Sequence, residues 1–170
     1  DVSDANSLVQ FNKNGFYLGN SAAVNTLNAS YVAWLWKAGG APVSNTSGSI
    51  ASQVSANPDA GFSIVKYTGN GAASATVGHG LGKLPVLRIM HGMDTGAGNN
   101  AVVHTLVDGS LDYLYINSTQ ANGNATQAAN TTTTFGVQSA AGDNVNGGNY
   151  IVYCFTGGPG SSKFGNTVGS

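Results

Sequence analysis

The segment VGHGLGKLP, residues 77–85, combines three glycines with a histidine and a lysine. A glycine-rich loop that cradles phosphate needs Lys followed by Ser or Thr at the start of a helix, whereas Lys83 is followed by Leu84 and Pro85. The segment therefore does not indicate a nucleotide site. It predicts a tight turn between two strands, in which His79 fixes the turn by hydrogen bonds and Pro85 opens the next strand.

Histidines and aspartates are the residue types in this chain that could hold a metal ion. The histidines lie on separate segments without a ligand spacing such as H-x-H, so we expect them to act as hydrogen-bonding groups. They are His79, His91 and His104. Four aspartates lie in predicted loops or turns, where each could add an oxygen ligand to a lectin-type Ca²⁺ site. They are Asp94, Asp108, Asp112 and Asp143. None falls in a recognised calcium loop, so we expect turn capping from each and predict neither a metal site nor a cofactor; a calcium site stays an alternative.

The acidic residues argue against catalysis. Glycoside hydrolysis needs two carboxylates about 5–10 Å apart, one of them protonated near neutral pH. The chain has no Glu and no evident pair of Asp residues, and Asp108 and Asp112 bracket a turn in which solvent keeps carboxylates ionised. The segment GSLDY, residues 109–113, is not a nucleophile elbow. We predict that the chain is not an enzyme.

Recognition of a surface glycan or a protein partner is better supported by the residue types. Tyr113 and Tyr115 alternate with apolar residues on one predicted strand, and tyrosine rings can stack on sugars. The two longest polar loops, residues 94–100 and 117–130, are where we expect surface recognition. The predicted contact residues for a glycan or partner are Tyr113, Tyr115, Asp94, Asn99, Asn100, Asn117, Asn122 and Asn124.

The composition predicts an all-β fold with almost no helix. Among 170 residues there are 25 Gly and 19 Asn, which favour turns, but only six Lys or Arg and no Glu to support surface helices. A net charge of −1 without a basic cluster argues against nucleic acid as a partner. No apolar run reaches the length of a membrane span, so no membrane contact is expected. The lone Cys154 is interpreted as a small buried hydrophobic residue.

Short segments rich in Val, Ile and aromatic residues alternate with turn residues, which is typical of an antiparallel β-sandwich of the jelly-roll or lectin type. The predicted strands are residues 8–11, 16–18, 31–36, 50–55, 62–67, 73–77, 86–91, 101–107, 111–116, 132–138 and 150–155. An Asp-Gly pair at 108–109 predicts a hairpin. Segments 31–36 and 150–155 are apolar on both faces, so we expect them near the sheet centres, with Trp34 and Trp36 in the core or an interface.

The segment YVAWLWKAGG, residues 31–40, resembles YIVYCFTGGPG, residues 150–160. A gapless alignment with an offset of 119, the difference between positions 135 and 16, extends this similarity towards the N-terminus. It pairs Phe16 with Phe135, Asn25 with Asn144 and Tyr31 with Tyr150. Each copy is interpreted as a strand, a loop of small residues with Asn, and an apolar strand, so the chain is predicted to cut into an array of repeats.

The repeat gives a prediction of domain organisation. Residues 1–40 are expected to be the end of a preceding β unit or the first strands of the sandwich, and residues 41–170 the main β-sandwich unit. A single domain over the whole chain is the alternative.

Four segments together resemble a β-rich module of tailed-bacteriophage virion proteins. They are YVAWLWKAGG, SANPDAGFSIVKYTGN, VGHGLGKLP and YIVYCF followed by SKFG, and the resemblance runs from about residue 11 to the C-terminus. The module occurs in large tail-fibre or appendage proteins of marine phages, often beside concanavalin-A-like or SPRY-like lectin domains. The resemblance implies a structural role on the exterior surface or tail of the virion.

The expected function is therefore that of a non-enzymatic virion structural protein, either a tail-fibre or appendage segment or a capsid-attached fibre or decoration. Its expected partners are other virion proteins and copies of itself, and the resemblance favours a trimer. The alternative is a carbohydrate-binding module that recognises a glycan on the host surface.

Overall fold

The chain divides into two compact units, Asp1–Leu35 and Trp36–Ser170, called unit 1 and unit 2 below. The computed structural model describes residues 5–94, 101–105, 109–116, 118–121, 123–139 and 142–157. These residues form twelve strands and no α-helix, which confirms the predicted all-β class. Within the same ranges, no helix has the length and apolarity needed to cross a membrane.

The described part of unit 1 contains one antiparallel hairpin. Strand β1 (Leu8–Asn12) pairs with β2 (Gly15–Leu18), with an irregularity in register between Leu8 and Gln10. The Asn14 backbone N–H donates to Asn12 Oδ1 at 3.0 Å, so the asparagine side chain fixes the turn.

Unit 2 holds two antiparallel sheets within the residues described. Its strands are β3 (Val43–Asn45), β4 (Ser52–Asn57), β5 (Phe62–Thr68), β6 (Ala75–Gly78), β7 (Pro85–Gly92), β8 (Ala101–His104), β9 (Asp112–Tyr115), β10 (Gly123–Asn124), β11 (Thr134–Val137) and β12 (Asn149–Thr156). One sheet has eight strands in the order β10-β9-β8-β7-β12-β5-β4-β3, and the other pairs β11 with β6. Antiparallel pairing holds throughout both sheets.

The core of unit 2 lies between these two sheets. In β12, Val152 pairs with Val65 of β5 on one side and with Met90 of β7 on the other. The buried residues of this face form one cluster with Val77 of β6 and Phe135 of β11. The arrangement is that of a β-sandwich, and the prediction that residues 150–155 form a central strand is confirmed.

The prediction that residues 31–36 form a second buried central strand is wrong. The segment forms no strand, and the Trp34 side chain is 79 % exposed. An apolar strand is buried only if partner strands flank it and other layers cover it, and no described strand pairs with this segment. Trp36, the first residue of unit 2, lies with its ring centroid 5.4 Å from that of Phe155 and 6.1 Å from that of Phe62.

The other predicted strands are found with adjusted bounds. Predicted strand 50–55 corresponds to β4, which begins at Ser52, while Ile50 makes an isolated parallel bridge to Val77. The predicted hairpin is confirmed because β8 and β9 pair antiparallel, although residues 106–108 lie outside the described chain. Strands β3 and β10 were not predicted, since three and two residues carry no readable alternation.

Candidate functional site

Tyr113 and Tyr115 lie side by side on β9, next to the edge strand β10. Their ring centroids are 5.3 Å apart with an interplanar angle of 60°, an edge-to-face contact, and both side chains are half-buried. Gly123 of β10 pairs with Tyr113, and a Cβ atom built on Gly123 would lie 3.0 Å from the Tyr113 ring. The ring therefore lies over the glycine, and its inner side packs against the core.

Asn124 lies on the same border of the sheet, where it follows Gly123 on β10, pairs with Asp112, and is exposed. Because successive side chains of a strand point to opposite faces, its amide lies on the face opposite the two tyrosine rings. We call Tyr113 and Tyr115 the tyrosine edge. It offers partly exposed aromatic surface, which suits weak contacts with a sugar or a protein surface.

The other predicted contact residues do not extend this site. Asp94 accepts a hydrogen bond at Oδ1 from the Asn149 backbone N–H at 2.8 Å and one at Oδ2 from Asn149 Nδ2 at 2.6 Å. These hydrogen bonds lower the pKa of the Asp94 carboxyl, and they tie the end of β7 to the start of β12. The remaining four, Asn99, Asn100, Asn117 and Asn122, lie outside the described residues.

A second group of polar side chains, the polar clasp, joins the loop after β5 to the loop before β12. It consists of Tyr67, Asn70, Asp143, Asn144 and Tyr150. The Asn144 side chain is fully buried, and its Oδ1 accepts from the Asn70 N–H at 2.9 Å while Nδ2 donates to Asn70 Oδ1 and to the Ala72 carbonyl oxygen, both at 2.9 Å. The Tyr67 hydroxyl donates to the Asp143 carbonyl oxygen.

The Asp143 carboxylate accepts one hydrogen bond from a backbone N–H and one from a side-chain amide. Its Oδ1 accepts from the Gln138 N–H at 2.7 Å and Oδ2 from Gln127 Nε2 at 2.8 Å. Burial raises the pKa of this carboxyl, with the two hydrogen bonds acting in the opposite direction. Asp143 thus caps a turn as predicted, whereas Asp112 is a buried residue of β9 and not a turn residue, and Asp108 lies outside the described chain.

Arg88 is a buried cation that the sequence analysis missed. It lies on β7 and is fully buried, with Cζ 4.8 Å from the centroid of the Phe135 ring and Nη1 donating to the Gly136 carbonyl oxygen at 3.0 Å. Burial lowers the pKa of its guanidinium group. Within the described part of the chain, Nε and Nη2 have no hydrogen-bond partner. The available signal was a lone arginine inside the apolar run PVLRIM.

His79 fixes the glycine-rich turn as the sequence predicts. Its Nδ1 accepts from the Leu81 N–H at 3.2 Å, and its Nε2 lies 3.2 Å from the Thr131 carbonyl oxygen, which requires Nε2 to donate. The neighbouring Gly80 and Gly82 have φ of +70° and +66°, a conformation that favours glycine. The ring is therefore a neutral structural bridge.

No group of three or more His, Cys, Asp or Glu side chains that could hold a metal ion occurs among the residues the structure describes. His91 lies on β7, while His104 of β8 pairs in register with Asp112 of β9 and both are buried. The described site residues therefore offer hydrogen bonding and aromatic contact.

Comparison with protein families gives one result that covers the whole chain. A family described as a domain of unknown function (DUF7483) matches residues 1–170. The chain belongs to this family. Comparison with curated proteins and with solved structures gave no match. The DUF7483 assignment therefore gives the family of the chain and not its function.

Replacing His79 by Asn is expected to weaken the pH dependence of stability in this DUF7483 domain. Burial lowers the pKa of folded His79, so the unfolded chain takes up a proton near pH 6.5 before the folded chain does. The stability given by neutral His79 is present above that pH and is lost as the pH falls towards the lower folded pKa. Asn keeps an acceptor for the Leu81 N–H but does not titrate.

Urea unfolding at pH 7.5 and pH 5 tests this expectation. The free energy of unfolding of the unmodified chain should fall more between the two pH values than that of His79→Asn. The other histidines are common to both proteins and cancel in the comparison. An equal decrease in the free energy of unfolding in both proteins would contradict a buried, neutral His79.

The Cys154 thiol is expected to resist modification in the folded protein. It is fully buried in β12, and burial raises its pKa to about 12, so the thiolate that reacts with disulfide reagents is scarce at pH 8. Labelling with a chromogenic disulfide should be slow in buffer and complete in urea. The variant Ser30→Cys, at an exposed position of unit 1, provides the control and should label at once. Rapid labelling of Cys154 in buffer would contradict the placement of β12.

Proposed function

We propose that the chain is a non-enzymatic structural module of a bacteriophage virion, either a tail-fibre or appendage segment or a capsid-attached fibre or decoration. The observation that supports this proposal is that side chains of unit 2 which could do chemistry are instead hydrogen-bonded within the fold. His79 and Asp143 are buried and hydrogen-bonded to backbone or amide groups of the fold. Groups held in this way stabilise a rigid sandwich.

The placement in a virion rests on the resemblance of four sequence segments to phage virion modules. Its partners in this proposal are other virion proteins and copies of itself, with a trimer as the expected assembly, on the exterior surface or tail. A low density of charged residues and a core built from strand pairing and aromatic rings suit such a building block.

The test compares phage particles that carry two variants. Val152→Asp places a charge at the centre of the core and should yield particles that lack the appendage or decoration. Lys66→Ala, on the exposed part of the neighbouring strand β5, should leave particles intact. Cryo-EM of purified particles gives the readout. Intact appendages in both cases, or turnover of host polysaccharide that is lost on changing one Asp, would refute the proposal.

Recognition of a host glycan is the second candidate, and the tyrosine edge is the observation that favours it. Tyr115 supplies half-exposed aromatic surface in edge-to-face contact with Tyr113. In a glycan array, Tyr115→Ala should abolish binding that the unmodified chain shows. Tyr17→Ala removes a 60 % exposed tyrosine from the hairpin of unit 1 and serves as the matched control. Absence of binding by the unmodified chain would reject this candidate.

A further inference from the structure

The turn of the unit 1 hairpin has the same side-chain hydrogen bond as a turn in unit 2 that lies 119 residues further along the chain. The Asn14 N–H donates to Asn12 Oδ1 at 3.0 Å, and at the corresponding positions the Thr133 N–H donates to Thr131 Oγ1 at 3.2 Å. The strand that follows the turn is β2 in unit 1 and β11 in unit 2. The repeated sequence therefore forms the same turn bond before a strand in both copies.

The loop and tyrosine that follow show the same correspondence. In unit 1 the Thr26 N–H donates to the Tyr31 hydroxyl at 2.9 Å, and in unit 2 the Val145 N–H donates to the Tyr150 hydroxyl at 3.0 Å. Thr26 and Val145 are also 119 positions apart. Each tyrosine hydroxyl in turn donates to a backbone carbonyl oxygen eight or nine residues upstream, in Gly142 for Tyr150 and in Ala22 for Tyr31.

The two copies differ in the partner of their first strand, which is β1 for β2 and β6 for β11, and they differ again after this tyrosine. Tyr150 begins the buried run of β12, which pairs with β5 and β7, whereas residues 31–35 form no strand. Leu35 is 59 % exposed, but its counterpart Cys154 is fully buried. The segment of unit 1 thus has the sequence and the anchoring tyrosine of a central strand, and it lacks the two strands that would flank it.

We propose that residues 31–36 are the last, central strand of a preceding copy of this module in the same polypeptide. In that copy they lie between strands equivalent to β5 and β7, with Tyr31, Ala33 and Leu35 towards the core. Burial of Trp34 and its neighbours then depends on the preceding copy. This inference does not depend on the virion role or on glycan binding.

One observation favours a preceding copy over a second molecule of this chain. In each molecule the position between β5 and β7 is already occupied by its own β12, so another molecule offers no open place for the strand. The residues that would face the core also fit that position, because Ala33 is smaller than its counterpart Val152 while Leu35 is larger than Cys154. Total core volume is nearly conserved by this pair of differences, and such exchanges are tolerated in cores.

The test is a fusion in which residues 41–134 precede residues 16–170, so that the copy ahead of unit 2 is completed by β2 and residues 31–36. Trp36→Phe leaves Trp34 as the only tryptophan in this fusion and in the full 170-residue chain. Acrylamide quenching of Trp34 should be several-fold weaker in the fusion, with emission shifted to shorter wavelength. A control fusion carries Val65→Asp and Met90→Asp in the added copy only, which removes the flanking strands, and Trp34 should be quenched as in the full chain.

Two results would overturn the proposal. One is strong quenching of Trp34 in the fusion, provided that circular dichroism shows the additional strand content of a folded second copy. If that strand content is missing, a second fusion with Ala33→Val and Leu35→Cys restores the core residues of β12. Trp34 must then be buried in the second fusion. Exposure of Trp34 in the second fusion also overturns the proposal. The other is protection of Trp34 in the full chain together with dimers in sedimentation, which would assign the partner to a second molecule.

Discussion

Truncation of Phe135 to alanine should lower the free energy of unfolding by about 4 kcal/mol, the range found for large-to-small changes of buried aromatic residues. The Phe135 ring is fully buried on β11, makes an edge contact with Tyr67 at a centroid distance of 6.2 Å, and covers the Arg88 guanidinium group. Loss of the Phe135 ring leaves a cavity and removes the aromatic face that contacts the buried Arg88 guanidinium group. For a chain of this size the melting temperature should fall by roughly 10 °C.

The repeat supplies the matched control for this change. Phe16 occupies the equivalent position on β2 and is only half-buried, so Phe16→Ala should cost about 1 kcal/mol or less. Urea unfolding followed by Trp36 fluorescence in a Trp34→Phe background reports on unit 2, because the Trp36 ring packs on Phe62 and Phe155. Equal effects of Phe16→Ala and Phe135→Ala would contradict the placement of the core between the two sheets.

Replacing Asn144 by Ala should cost about 3 kcal/mol, since the buried amide makes three hydrogen bonds and each contributes about 1 kcal/mol. The amide joins the loop after β5 to the loop before β12 through Asn70 and Ala72. We expect the same urea experiment to show the loss as a lower midpoint with an unchanged slope.

Asn25 is the repeat partner of Asn144 and provides the control. Its Nδ2 donates one hydrogen bond, to the Gly19 carbonyl oxygen at 2.8 Å, at an exposed position. Asn25→Ala should therefore change the free energy of unfolding by about 0.5 kcal/mol or less. A midpoint for Asn144→Ala that matches that of Asn25→Ala would show that the polar clasp does not stabilise unit 2.

Much of the strand content followed from the sequence because alternation and turn residues are local signals. The strands around Val65 and Val152, and the turn at His79, lie where those signals predict them. The segment around Trp34 has the same apolar pattern as β12, but a pattern does not state which strands are available to flank it. The exposure of this segment depends on which strands are available to pair with it, and the sequence of the segment alone does not contain that information.

The site was less predictable than the fold. The placement of Tyr113 and Tyr115 on one face of one strand follows from alternation, which is a local signal. The Asn144 amide and the Arg88 guanidinium contact residues 74 and 48 positions away, and such pairings leave no local pattern. Asp94, predicted as an exposed contact, is engaged by Asn149 across 55 positions for the same reason.

The eight-stranded sheet ends in β3 and β10, which have three and two residues. Such short borders expose few unpaired backbone groups, and exposed backbone groups are what allow sheets from separate molecules to merge. Sheets of separate molecules are therefore less able to merge at these two borders than they would be at long edge strands.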